Sequence, residues 1–66
     1  MMRDTEIYIV TLWAVDVRQS DGWHEIASVS SYRVAAQLAQ GLLDDGRGAV
    51  RVRDLTTGKI PFSVER

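Results

Sequence analysis

The first third of the chain carries the pattern of a long β-strand. From Glu6 to Arg18 it runs through Ile7, Tyr8, Ile9, Val10, Thr11, Trp13, Val15 and Val17, nearly all β-branched or aromatic. The odd positions Ile7, Ile9, Trp13, Val15 and Val17 are apolar throughout. The even positions change character along the way: Asp16 and Arg18 are charged, whereas Tyr8, Val10, Leu12 and Ala14 are not. This predicts one wet face at the far end of the strand and two covered faces at the near end. A single helix shelters only one face of a small sheet. Tyr8, Val10 and Leu12 therefore need another cover, and a second copy of the chain is the simplest one.

Ser20-Asp21-Gly22 reads as a tight turn, because Asp-Gly suits the positive φ angles of a two-residue hairpin loop. With Asp21 and Gly22 as that loop, Ser20 faces Trp23, Arg18 faces Glu25 and Val17 faces Ile26. The second strand then spans Trp23 to Val29. Ser30 or Ser31 supplies a helix N-cap, and the helix continues to about Asp45. Val34, Ala35, Leu38, Ala39 and Leu42 recur at three- and four-residue spacing and define its expected buried stripe. Gly46 suits the left-handed residue that ends a helix.

Ala49 to Asp54 alternates Val50 and Val52 with Arg51 and Arg53, a half-buried strand. Leu55-Thr56-Thr57-Gly58 is a turn, with Gly58 at positive φ. Lys59 to Val64 is the last strand, with Ile60, Phe62 and Val64 inward. Pro61 has no N–H to give, which places this strand at a sheet edge or a bulge. The fold class is α+β: a ββαββ chain whose small, largely antiparallel sheet carries one helix on one face. It forms a single domain over residues 1–66, with residues 1–5 expected to be flexible.

The Gly22-Trp23 turn, the serine-capped helix with Ala35, Ala36 and Leu38, and Val50-x-Val52-x-Asp54 leading to Thr57-Gly58-Lys59-Ile60 resemble small bacterial ββαββ domains of uncharacterised function. The resemblance implies a fold and no catalytic residues.

Composition narrows the chemistry. Sixty-six residues bury only a modest core, and domains of this size usually need a disulfide, a metal or a partner subunit as well. The chain has no cysteine and one histidine, so disulfides, thiolate metal sites, a cysteine nucleophile and paired imidazoles are all excluded. A partner subunit is the supplement left. The nine-residue uncharged run Ile7–Val15 is too short to span a bilayer, and the leading residues lack the apolar stretch of a signal peptide. The expected location is the cytoplasm of a bacterium or its phage, with no membrane partner. Net charge is −1, but it is unevenly spread: −3 over residues 1–32 and +2 over residues 33–66.

Candidate chemistry is sparse. His24 has Ser20, Asp21, Glu25 and Ser28 nearby, but on a hairpin, without the pocket or oxyanion site that a nucleophilic triad needs. Asp44 and Asp45, with Asp54 or Asp21, lack the dense oxygen spacing of a cation loop and read as the polar end of a helix. Gly46-Arg47-Gly48 follows a helix where a phosphate loop would open one. No catalytic, cofactor or metal residue is assigned.

The leading expectation is a non-enzymatic protein–protein interaction module, a homodimer with Tyr8, Val10, Leu12 and Trp23 as its apolar interface. Trp23 enters because an exposed tryptophan beside a turn suits an interaction hot spot. The alternative is nucleic-acid binding through Arg47, Arg51, Arg53 and Lys59, although strand three has no aromatic residue among its arginines. A small phage or mobile-element protein that modulates a larger host protein fits the same description.

Overall fold

The computed structural model describes residues 11–65. Strands β1 (Trp13–Gln19) and β2 (Gly22–Val29) are followed by helix α1 (Tyr32–Asp44) and strands β3 (Ala49–Asp54) and β4 (Phe62–Glu65), the expected ββαββ order. The four strands lie in the order β2-β1-β3-β4 and every pairing is antiparallel. The helix packs on one face, over β3, β1 and β2. Within the described residues the first strand starts at Trp13; the Glu6–Val10 part of the expected strand and residues 1–5 lie outside them.

Local chemistry explains the helix ends. Ser31 has extended backbone angles, and its Oγ accepts a hydrogen bond from the Val34 N–H at 3.3 Å, which satisfies one of the free donors of the first turn. At the other end Gly46 adopts φ +94°, and the chain turns back on itself. Gly46 N–H donates to the Leu43 carbonyl and Arg47 N–H to the Leu42 carbonyl, the reciprocal pair that closes a helix with a left-handed glycine. After β3, Asp54 Oδ1 accepts from the Thr56 and Thr57 N–H groups, and Gly58 takes φ +78° as expected.

The hairpin register differs from the expected one. Gln19 pairs with Gly22 and Arg18 with Trp23, so Ser20 and Asp21 form the loop, one position earlier than Asp21-Gly22. Pairing then slips: Asp16 faces Glu25, but Val15 faces Ala27, leaving Ile26 as the extra residue of a β-bulge. Trp23 and Glu25 thereby share the face of Arg18 and Asp16. Beyond the bulge, Ala27 and Val29 face the helix with Val15 and Trp13. Were Ile26 kept in the ladder instead of bulged out, strict alternation would turn Ala27 and Val29 away from the core.

The core comprises Val15 and Val17 of β1, Val50 and Val52 of β3, and Ala35, Ala39 and Leu43 of the helix. This corrects the expected helix stripe. Ala35 and Ala39 are buried as anticipated and Leu42 packs at the margin, but Leu43 is the large buried residue. Val34 and Leu38 remain 42% exposed. The three alanine-and-leucine positions are spaced by four, so the sheet-facing line drifts toward Leu43 as the helix advances, and Val34 and Leu38 fall behind it by about 100°. The last strand is also shorter than expected: Lys59, Ile60 and Pro61 precede it, and Ile60 is exposed instead of inward. β4, which follows Pro61, does lie at the sheet edge.

Leu43→Ala should destabilise the chain by about 2–5 kcal/mol, the range for a buried leucine cut to alanine. Leu38→Ala should cost about 1 kcal/mol or less. Urea unfolding of the two variants measures both, and a reversed ranking would restore Leu38 to the core.

Candidate interaction surfaces

The face of the sheet opposite the helix has no covering element among the described residues. Pairing places Ala14, Asp16 and Arg18 of β1 there, with Trp23 and Glu25 on one side and Arg51 and Arg53 on the other. Its centre is Asp16, whose side chain is only 1% exposed. Arg51 Nε donates to Asp16 Oδ2 at 2.8 Å and Arg53 Nε donates to the same oxygen at 3.0 Å. Arg53 also reaches Asp16 Oδ1 and Glu25 Oε1, each at 3.3 Å. The Arg51 guanidinium lies over the Trp23 ring, 4.2 Å from its centroid, a cation–π contact spanning β3 to β2 across β1.

Sequence reasoning placed Asp16 on a wet face and missed this cluster. The signal lay in opposite charges on alternate positions of two strands: Asp16 on one, Arg51 and Arg53 on the other. It becomes legible only once β1 and β3 are known to be neighbours, with Asp16 opposite Arg51 and Ala14 opposite Arg53. Alanine at position 14 leaves room for the Arg53 chain to fold across.

Two opposing effects set the ionisation of Asp16. Burial pushes its carboxyl up; hydrogen bonds and charge from Arg53 and Arg51 pull it down further, so its pKa falls below the ordinary carboxylate value. The hydrogen bond to Asp16 raises Arg53 in turn. Arg18 and Glu65 form a more exposed pair at 2.8 Å toward the other end of the same face. They border a shallow polar groove of ≈ 320 Å³ that Gly48 and Ala49 also line. Arg18, Arg51 and Arg53 thus meet Asp16, Glu25 and Glu65, and the charges on this face cancel.

A second surface is apolar and lies at the end of the sheet where β1 begins. Leu12, Tyr32, Leu55 and Ile60 are each about 40% exposed. The Leu55 N–H donates to the Leu12 carbonyl at 3.0 Å, tying the two loops together. Trp13 meets Tyr32 edge to face with ring centroids 5.1 Å apart. Trp13, Ile60 and Pro61, with Asp54 and Lys59, line a shallow groove of ≈ 380 Å³.

Of the expected interface residues, the two that are described, Leu12 and Trp23, are not brought together. Tyr8 and Val10 lie outside the described residues. Leu12 is at the apolar end, whereas Trp23 sits six β1 positions away, opposite Arg18 and beneath Arg51, a separation of about 20 Å. Edge-to-edge pairing of the first strand is blocked along Trp13–Val17, because β1 is interior and paired on both sides there. The cations divide in the same way. Arg51 and Arg53 share one carboxylate, while Arg47 precedes β3 and Lys59 follows it, so these two flank opposite ends of that strand. The aromatic absent from strand three comes instead from β2, as Trp23. His24 Nε2 lies 2.6 Å from Asp21 Oδ1 on the exposed hairpin, and that contact lowers the Asp21 pKa. Among the described residues no grouping of His, Asp and Glu could hold a metal ion, and no helix is long and apolar enough to cross a membrane.

No protein-family model matches this chain, and no curated protein or solved structure matches it either. Its class rests on architecture: a small α+β domain with one helix on a four-stranded antiparallel sheet.

Because the Asp16 pKa is depressed on folding, its stabilisation is full above the ordinary carboxylate range and is lost as pH falls through the depressed folded value. Asp16→Asn should cost about 1–3 kcal/mol at neutral pH, the scale of hydrogen bonds to a charged partner. It should also flatten the acid limb of the stability–pH curve. Urea unfolding across that pH range reads both effects; an unchanged acid limb would remove Asp16 from the role assigned to it.

Proposed function

We propose that this protein is a non-enzymatic interaction module that works by contact and associates with a second copy of itself in the cytoplasm. One observation carries the reading. Among the described residues the fully buried core is built from small side chains, while the larger apolar ones pack at its margin or are exposed. Among the described apolar residues, the largest that are fully buried are valines, with Leu43 almost so. Seven large apolar side chains, Leu12, Ile26, Tyr32, Val34, Leu38, Leu55 and Ile60, are 38–48% exposed. Each gains about 25 cal/mol for every Å² of apolar surface removed from water. A valine-and-alanine core in a chain of 66 residues leaves little margin, and association is the supplement open to a chain with no cysteine.

Trp23 on the same face as Arg51 and Arg53 favours a second reading, contact with a single-stranded nucleic acid through stacking and phosphate pairing. The acids paired with these arginines oppose it, since a phosphate would have to displace Asp16 and Glu25.

If association supplements the core, the thermal midpoint should rise with protein concentration from low to high micromolar, and the mass in solution should be twice 7.4 kDa. Light scattering and thermal unfolding over that range test it. A monomer with a concentration-independent midpoint would overturn the contact reading. Steep, salt-sensitive binding of an oligonucleotide would favour the second reading.

A further inference from the structure

We propose that a second copy of this chain docks along the outer edge of β2 and the adjoining flank of α1, through Ile26, Val34 and Leu38. The inference rests on the contact reading above and names the surface that performs it.

The two sheet edges are unlike. β4 is four residues long and follows Pro61, two features that discourage strand addition. β2 is eight residues long, contains no proline and no lysine, and pairs only with β1, so one side of its backbone has no strand partner among the described residues. An open edge is a template for another strand, because a strand meets its row of N–H and C=O groups in register. The bulge at Ile26 kinks this edge but leaves the residues on either side of it extended.

The helix extends the same surface. Ala35, Ala39 and Leu43 face the sheet, so Val34, Leu38 and Gly41 follow one another along a single flank. The connection from β2 through α1 to β3 joins parallel strands on either side of β1. In the right-handed form that such crossovers take, this flank overhangs β2. Val34 and Leu38 are 42% exposed and Ile26 is 48% exposed. At Gly41 a Cβ would meet nothing within 4 Å, so a neighbouring helix has room to approach.

Symmetry and charge select a second copy as the occupant. A two-fold axis beside an antiparallel strand brings the strand against its own mate, and each protomer supplies the donors and acceptors that the other needs. Centred on the middle of β2, such an axis sets His24 opposite Ala27 of the partner subunit and brings Glu25 beside Glu25 of the partner subunit, where each carboxylate is already held by Arg53 of its own chain at 3.3 Å. With a net charge of −1, two copies repel each other little at long range.

The test measures the mass and dissociation constant of the full chain and of two variants, Val34→Glu/Leu38→Glu and Leu12→Asp. All three positions are well exposed, and circular dichroism checks that each variant folds. The proposal expects a wild-type dimer, weakened roughly 30-fold or more by the helix-flank pair, the scale of a hot-spot loss, and hardly changed by Leu12→Asp. A dimer broken by Leu12→Asp and untouched by the flank pair would overturn this surface and keep the contact reading. A monomeric wild type would overturn both. Amide exchange on the wild-type chain gives a readout independent of variant folding: β2 amides should slow as concentration rises. If they are equally protected at every concentration, the edge belongs to the chain's own remaining residues and the second copy is excluded.

Discussion

A carboxylate shut away from water dictates the layout of the open face of this sheet. Asp16 keeps its charge because two guanidinium groups from the neighbouring strand converge on it. Those groups must lie flat across the sheet to do so. One of them then covers an indole and the other reaches a second acid on the far strand. Three strands are cross-linked through side chains as well as through backbone. A polar face that would otherwise have been a loose row of solvated charges becomes a closed layer.

The opposite face is closed with much smaller parts. Ala35 and Ala39 bring the helix close to the valines of β1 and β3, which gives tight contact but little buried area for each residue. The large side chains are displaced to the margins, where Trp13 and Tyr32 share an edge-to-face contact and Phe62 and Val64 complete the border over β4. Size and placement are thus inverted relative to a larger domain. The same inversion leaves apolar surface available for association.

Much of the architecture was legible in the residues. Ser31, Gly46 and Gly58 announce their positions by chemistry that has few alternatives, and Pro61 correctly demotes the final strand to an edge. The alternation of Val50 and Val52 with arginines gives β3 its two faces. Non-local choices were not legible. Nothing local in Asp16 says that β3 will lie beside it, so a buried ion cluster read as a wet strand end. The helix stripe was misassigned at Val34 and Leu38 because a run rich in apolar residues fits more than one helical line, and the sheet beneath selects the line through Leu43. Trp23 and Leu12 were grouped as apolar, but antiparallel pairing sends them to opposite ends of the hairpin.

The bulge in β2 acts as a phase switch. By absorbing one residue at Ile26, the strand changes which of its side chains point inward, with Trp23 and Glu25 on the open face before the switch and Ala27 and Val29 under the helix after it. Straightening the bulge with Ile26 kept in the ladder would invert the remainder of the strand, whereas deleting Ile26 would leave Glu25 and Ala27 alternating and keep the same side chains under the helix, so this hairpin should tolerate a shortening at that one point better than anywhere else along the strand.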